Sequence, residues 1–253
     1  MSKDGTTTIG ALDEEASIYV RELVRRSLVV LPELVGSLLI GSGALGDYVA
    51  GLSDIDVTLV AADALSQEDK EKLVRQLAHG ALPCPAAKLE LVVYRAETLK
   101  QPERAHEYEL NLNSGARVRE LIIYDFTKND PHWYVLDAAI ARDRGIAIVG
   151  PAPSALIAEI PRDQILEALR TSIAWHRANE ATYLTVLNAC RSWRYATEGT
   201  WVSKTEAARW AMSRSAHSNL IRAALDARRV GKAGRVGPGT TGGFLDEVLT
   251  KLR

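Results

Sequence analysis

The chain has 253 residues, of which 47% are hydrophobic and 25% charged, and its formal net charge at neutral pH is −1. This composition is typical of a globular protein, and a length above about 200 residues favours two domains over one. The near-neutral charge argues against a nucleic-acid substrate, since neutralising many phosphates requires a basic excess.

The two cysteines and the hydropathy pattern indicate the cellular compartment in which the protein is expected. Cys84 and Cys190 lie far apart and form no CxxC pattern, so we expect neither a disulfide framework nor a structural zinc site. No uncharged apolar run reaches the roughly 18 residues of a membrane span, and the first residues do not resemble a signal peptide. We therefore expect a cytoplasmic protein with no membrane partner. Our working expectation for the oligomeric state is a monomer.

The first part of the chain alternates between helical and extended patterns. The predicted elements are, in chain order, a helix over 11–36, a strand over 38–40, a strand over 55–60, a helix over 66–79 capped by Ser66, and strands over 88–94 and 119–124. This order predicts an α/β (α+β) domain with a mixed sheet over residues 1–150.

The character of the sequence changes after Gly150-Pro151-Ala152-Pro153, which has the composition of a linker. The following residues are rich in Ala, Leu, Arg and Glu, and they predict an all-α helical bundle over 151–253. Its predicted helices cover 162–178, 180–196, 203–212 and 216–229. The glycine-rich stretch 231–239 has no preceding strand and no Gly-Lys-Ser/Thr ending, so we predict a flexible loop there rather than a phosphate loop.

The most informative stretch begins with Gly41-Ser42 and continues with Ser53-Asp54-Ile55-Asp56. In an extended strand, residues i and i+2 point to the same side, so Asp54 and Asp56 present two neighbouring carboxylates. Such carboxylates repel each other unless a cation compensates, and Mg²⁺ binds through one or two carboxylates plus water and substrate phosphates. The sequence therefore predicts a magnesium site formed by Asp54 and Asp56.

The bare Asp-x-Asp triplet also occurs by chance on exposed strand edges. Here its flanks favour function, because it opens an apolar strand after a glycine-serine turn whose N–H groups could bind a phosphate. Glu90 is a candidate third carboxylate, since an isolated acidic residue within an apolar strand is costly unless it is paired or functional. A salt-bridged edge position is the alternative interpretation of Glu90.

These residues resemble a known signature. The stretch 41–48 together with 53–56 is similar to the motif of the polymerase-β-type nucleotidyltransferase superfamily. The stretches 190–193 and 203–210 resemble one branch of it, the aminoglycoside adenylyltransferases that modify streptomycin and spectinomycin and carry a helical C-terminal domain. The resemblance extends loosely from about residue 31 to residue 210.

The resemblance implies a role for each matching residue. Asp54 and Asp56 would hold Mg²⁺ at the phosphates of ATP, and Glu90 would be the general base that deprotonates the acceptor hydroxyl. The residues that would contact the nucleotide are Gly41, Ser42, Ser53, Arg191 and Lys204. Without the resemblance, Arg191 and Lys204 would be interpreted as solvated helix charges.

The expected reaction is Mg-dependent transfer of AMP from ATP to a hydroxyl of a spectinomycin- or streptomycin-like antibiotic, with release of pyrophosphate. Streptomycin-modifying members carry an acidic residue where this chain has Ala181, with Glu180 beside it. Trp175 and His176 could line the acceptor site, but a packed tryptophan and a solvated histidine are the simpler roles. The alternatives are a lincosamide-like or protein acceptor, and a catalytically silent nucleotide-binding regulator.

Overall fold

The computed structural model describes residues 8–179, 182–231 and 238–253. The chain divides into two compact units, Met1–Ile160 and Pro161–Arg253. Residues 151–160, which the sequence analysis placed with the helical part, fall in the first unit of this division. They are attached to it by backbone hydrogen bonds, since the Ala158 N–H donates to the Leu99 carbonyl over 2.8 Å.

The first unit contains a mixed sheet, as the sequence predicted, and this sheet has six strands. Its strands are β1 (Leu34–Leu39), β2 (Ile55–Ala61), β3 (Leu89–Arg95), β4 (Leu110–Ser114), β5 (Leu121–Ile123) and β6 (Ile146–Val149). Their spatial order is β5-β4-β3-β2-β1-β6. Only the β2–β3 pair among these strands is parallel, and the other four pairs are antiparallel.

The same unit also contains α-helices. They are α1 (Glu14–Val30), α2 (Gly41–Ala44), α3 (Gln67–Leu77), α4 (Ala96–Leu99), α5 (Pro131–Arg144) and α6 (Pro153–Leu156). Alternate residues of β2 and β3, such as Val57 and Leu91, are buried in one apolar core with Leu23 of α1 and Leu73 of α3. Each such side chain contributes about 1.5–3 kcal/mol by leaving water. The intervening residues of both strands consequently point to the opposite face.

The helix boundaries follow local chemistry. The Ser66 hydroxyl accepts the Asp69 N–H over 3.1 Å, so the predicted N-cap of α3 is confirmed. The predicted helix over 11–36 is wrong beyond Val30, because β1 already begins at Leu34. Pro32 explains the difference, since proline lacks an N–H group and disfavours a helical conformation in the residue before it.

Several elements carry too weak a sequence pattern to be predicted. These are β4, α5 and β6 in the first unit and α11 in the second. The β4 sequence contains two asparagines, which are depleted in strands. Glu180, Ala181 and most of the glycine-rich segment, namely residues 232–237, lie outside the described residues.

The second unit is all-α in its regular elements, within the described ranges. Its helices are α7 (Arg162–Ala178), α8 (Tyr183–Glu198), α9 (Lys204–Met212), α10 (Ser218–Arg229) and α11 (Pro238–Lys251). Helix α8 packs against α9, α10 and α11. The Trp193 and Trp210 rings meet edge to face with centroids 5.2 Å apart, a favoured aromatic geometry. No helix in the part of the chain that the structure describes is both long and apolar enough to cross a bilayer.

Candidate active site

Three carboxylates share the face of the sheet opposite the apolar core. The parallel register of β2 and β3 places Asp56 directly beside Glu90. Asp54 precedes Asp56 by two residues and so points to the same side. All three residues are partly exposed. By contrast, Ile55, which lies between the two aspartates, and Leu89, which precedes Glu90, are completely buried. The structure thus brings together the three carboxylates that the sequence analysis selected.

The turn before β2 fixes the backbone at Asp54. The buried Ser53 hydroxyl accepts the Val49 N–H over 3.0 Å, and the Ser53 carbonyl accepts the Ala87 N–H over 3.1 Å. Ser53 therefore ties the turn 49–53 to the chain segment that leads into β3. A contact between Ser53 and a phosphate stays a prediction.

Gly41 lies against the Asp56 carboxylate. Its φ is +62°, and a Cβ built at this position would be 1.9 Å from Asp56 Oδ2. Both the left-handed backbone and the lack of space require glycine here. The Ile40 N–H donates to the Asp56 carbonyl over 3.0 Å. The glycine-serine turn, including the half-buried Ser42, is consequently locked beside the carboxylate cluster.

The cluster carries a large electrostatic cost. Burial raises the pKa of Asp56 well above its ordinary value, and the charges of Glu90, Asp54 and, more weakly, Asp137 raise this pKa further. A cation between the carboxylates would offset this repulsion.

The donor set suits Mg²⁺. No group of three or more His, Cys, Asp and Glu side chains in residues 8–179, 182–231 or 238–253 is arranged to hold a metal alone. Mg²⁺ does not require such a cage, because it takes one or two carboxylates and completes its shell with water and phosphate oxygens. Asp54 and Asp56, with Gly41 leaving room at the carboxylate, fit this mode of binding.

Two polar neighbours of the carboxylate cluster, Lys88 and Asn113, were not predicted from the sequence. Lys88 forms an ion pair with Glu90, and its Nζ lies 3.8 Å from Asp54 Oδ2 and 3.3 Å from Asn113 Oδ1. Asn113 faces Glu90 across the β3–β4 pair. The i, i+2 rule that relates Asp54 to Asp56 also relates Lys88 to Glu90, so Lys88 could have been found. Asn113 could not, because β4 itself was not predicted.

The remaining predicted residues lie in the second unit. Arg191 lies on α8 and Lys204 begins α9, and both are half-buried. Ser203 caps α9 by accepting the Glu206 N–H over 3.1 Å. Arg194 joins the two helices, because its guanidinium pairs with Glu198 and Glu206 over 2.9 and 2.8 Å. Arg191 and Lys204 are therefore on helices with a fixed mutual arrangement.

Trp175 and His176 do not have the roles that seemed simplest from sequence. Trp175 is 38% exposed, whereas His176 is buried, with ring nitrogens 3.4 Å from Thr185 Oγ1 and 3.3 Å from Asn188 Nδ2. The expectation of a packed tryptophan and a solvated histidine is therefore wrong, because α7 turns His176 toward α8.

We expect Asp56→Asn to stabilise the protein when no divalent ion is present. A carboxyl whose pKa is raised on folding is harder to ionise in the folded state than in the unfolded state. Its stability relative to the low-pH state is therefore lost as pH rises from the unfolded pKa through the folded pKa, and at pH 8 the ionised Asp56 lowers the free energy of unfolding. At pH 8 the variant should unfold at a temperature about 2–4 °C higher than the unmodified protein, which corresponds to roughly 1 kcal/mol. Thermal unfolding at pH 8 and pH 5.5 with EDTA measures this.

The difference in unfolding temperature between the variant and the unmodified protein should be smaller at pH 5.5, where Asp56 carries less charge in the unmodified protein. A variant that unfolds at a lower temperature at pH 8 would contradict the proposed repulsion within the cluster.

Comparisons with known proteins bear on both units. Residues 155–236 match the family model described as aminoglycoside adenylyltransferase, C-terminal domain. No curated protein sequence matches the chain significantly. Among solved structures, the chain is similar to spectinomycin adenyltransferase AAD(9) from Enterococcus faecialis, crystallised with ATP and spectinomycin. The TM-score is 0.65 and the identity 16%, over 95% of this chain and 99% of that chain.

The structural likeness establishes the fold, and the family match covers most of the helical unit. The C-terminal part of the resemblance drawn from the sequence motifs is therefore confirmed. Residues 155–236 are similar to the C-terminal domain of aminoglycoside adenylyltransferases, and the chain has the fold of the solved adenyltransferase.

Proposed function

We propose that this protein transfers AMP from MgATP to a hydroxyl of a spectinomycin-like antibiotic and releases pyrophosphate. The observation that carries the proposal is the set of three carboxylates on β2 and β3, Asp54, Asp56 and Glu90, next to the Gly41 turn. The three carboxylates would supply this chemistry, and Arg191 and Lys204 would contact the nucleotide, as the sequence resemblance implies. A cytoplasmic location and a monomeric state stay predictions from the sequence.

In this proposal Asp54 and Asp56 hold Mg²⁺. When bound, the metal would neutralise developing charge and align the attacking oxygen, the α-phosphorus and the leaving pyrophosphate. Gly41 and Ser42 would contribute backbone N–H groups to the phosphates, since the first N–H groups of α2 have no partner within so short a helix. Ser53 would support the same contact from the turn before β2.

Glu90 would accept the proton of the acceptor hydroxyl. Its carboxylate lies in the same cross-strand row as Asp56, so a hydroxyl beside Glu90 would also be close to the phosphate that Asp56 helps to position. A positioned general base typically contributes about 10²–10⁴ in rate. This role would explain why an acidic residue stands in the largely apolar strand β3, in addition to its ion pair with Lys88.

The solved neighbour supports spectinomycin as the first acceptor to test, because that protein is a spectinomycin adenyltransferase crystallised with ATP and spectinomycin. Ala181 replaces an acidic residue of the streptomycin-modifying enzymes, and a neutral side chain would attract a cationic acceptor less strongly. We therefore favour spectinomycin over streptomycin, and both over a lincosamide-like compound or a protein.

We expect the protein to transfer labelled AMP from ATP to spectinomycin, and Glu90→Gln to lower this turnover by about 10²–10⁴. The variant keeps the size of the side chain but removes its capacity to accept a proton, so MgATP affinity should change little. Transfer of α-³²P-labelled AMP gives the turnover, and calorimetry gives the affinity.

The matched control is Glu33→Gln, an exposed position just before β1, which should behave like the unmodified protein. Undiminished turnover of Glu90→Gln would remove Glu90 from the mechanism. No transfer to spectinomycin, streptomycin or lincomycin would refute the proposed acceptor class.

We also propose that Arg191 and Lys204 bind the triphosphate. Arg191→Ala and Lys204→Ala should each raise the KM for ATP at least about tenfold, since a charge-assisted hydrogen bond contributes roughly 1.5–3 kcal/mol. Arg209→Ala, an exposed position on α9, is the matched control. An unchanged KM for ATP in both variants would refute this assignment.

A further inference from the structure

Lys88 places a positive charge inside the carboxylate cluster. Its ammonium pairs with Glu90, and it lies 3.3 Å from Asn113 Oδ1 and 3.8 Å from Asp54 Oδ2. An ammonium has three N–H donors and no acceptor, and here it faces three oxygen-bearing side chains. Lys88 is therefore engaged with the cluster rather than extended into solvent, and only 26% of its side chain is exposed.

The backbone holds Lys88 beside β2. Its carbonyl accepts the Ile55 N–H over 2.9 Å, and the β2–β3 register continues back from Ile55 and Leu89 to place Lys88 next to Asp54. Lys88 and Glu90 are two residues apart on the same strand path and point to the same face. The strand therefore directs the Lys88 side chain to the face that carries the three carboxylates.

A lysine ammonium is positively charged at neutral pH, because lysine titrates well above this pH. Lys88 therefore adds a positive charge among the three carboxylates.

In two-metal sites the ions lie about 3.5–4 Å apart and stabilise the attacking and leaving oxygens together. An ammonium that contacts Glu90 and lies 3.8 Å from Asp54 Oδ2 would compete with one of two such ions for these carboxylates. We infer that Lys88 acts as the second cation of the site, so that the protein binds one divalent ion at Asp54 and Asp56 together with the nucleotide. This inference rests on the proposed function, and it makes Lys88 a positioning residue for Glu90.

The test counts bound metal ions. We expect the unmodified protein, saturated with α,β-methylene-ATP, to bind one Mn²⁺ in an electron paramagnetic resonance titration. Lys88→Met removes the charge and should bind two. Lys88→Arg keeps the charge and should bind one, as should the control Lys72→Met, an exposed lysine of α3. In parallel, we compare how the rate of AMP transfer depends on Mg²⁺ concentration. This dependence should be first order in the unmodified protein and second order in Lys88→Met.

Two bound ions in the unmodified protein would overturn the inference, and so would a single ion in Lys88→Met. The number of Mn²⁺ ions bound by the unmodified protein is measured without any variant. The inference can therefore be refuted even if Lys88→Met does not fold. Lys88→Gln, which keeps hydrogen-bond donors without charge, is the second variant and should also bind two ions.

The two proposals can fail separately. AMP transfer to spectinomycin together with two bound ions would refute only the role of Lys88. Absence of both Mn²⁺ and nucleotide binding would refute the metal site and the role of Lys88 together.

Discussion

The site depends on the parallel pairing of β2 with β3. This pairing places Asp56 beside Glu90 and brings Lys88 to Asp54, while Ile55, Leu89 and their alternate neighbours fill the core. A shift of one residue along either strand would turn an acidic side chain into the apolar core and core side chains into solvent. The hydrophobic pattern that stabilises the sheet therefore also fixes the geometry of the carboxylates.

This arrangement is electrostatically unfavourable without a cation. Burial and neighbouring charges disfavour the charged form of Asp56, whose carboxylate packs directly against Gly41. Groups held at such a cost are typical of functional sites, where the surrounding fold over-determines them. In this protein the register of the sheet and the tied turn before β2 provide that constraint, and Lys88 offsets part of the repulsion.

The sequence predicted the features that depend on local rules. The side-chain alternation of a strand was enough to pair Asp54 with Asp56, and an acidic residue within an apolar strand was enough to select Glu90. Features that depend on tertiary pairing were missed: β4, with its Asn113 beside Glu90, has weak strand propensity and is held by its neighbours. His176 is buried because of how α7 packs on α8, which its sequence neighbours do not reveal.

We propose that Asp54 and Asp56 together hold the metal of a bound nucleoside triphosphate. Calorimetric titration of MgATP into the unmodified protein, Asp54→Ala and Asp56→Ala tests this metal site, with thermal unfolding as the check that each variant is folded. We expect each substitution to weaken MgATP binding at least about tenfold, or roughly 1.4 kcal/mol. An MgATP affinity that is unchanged in both folded variants would contradict it.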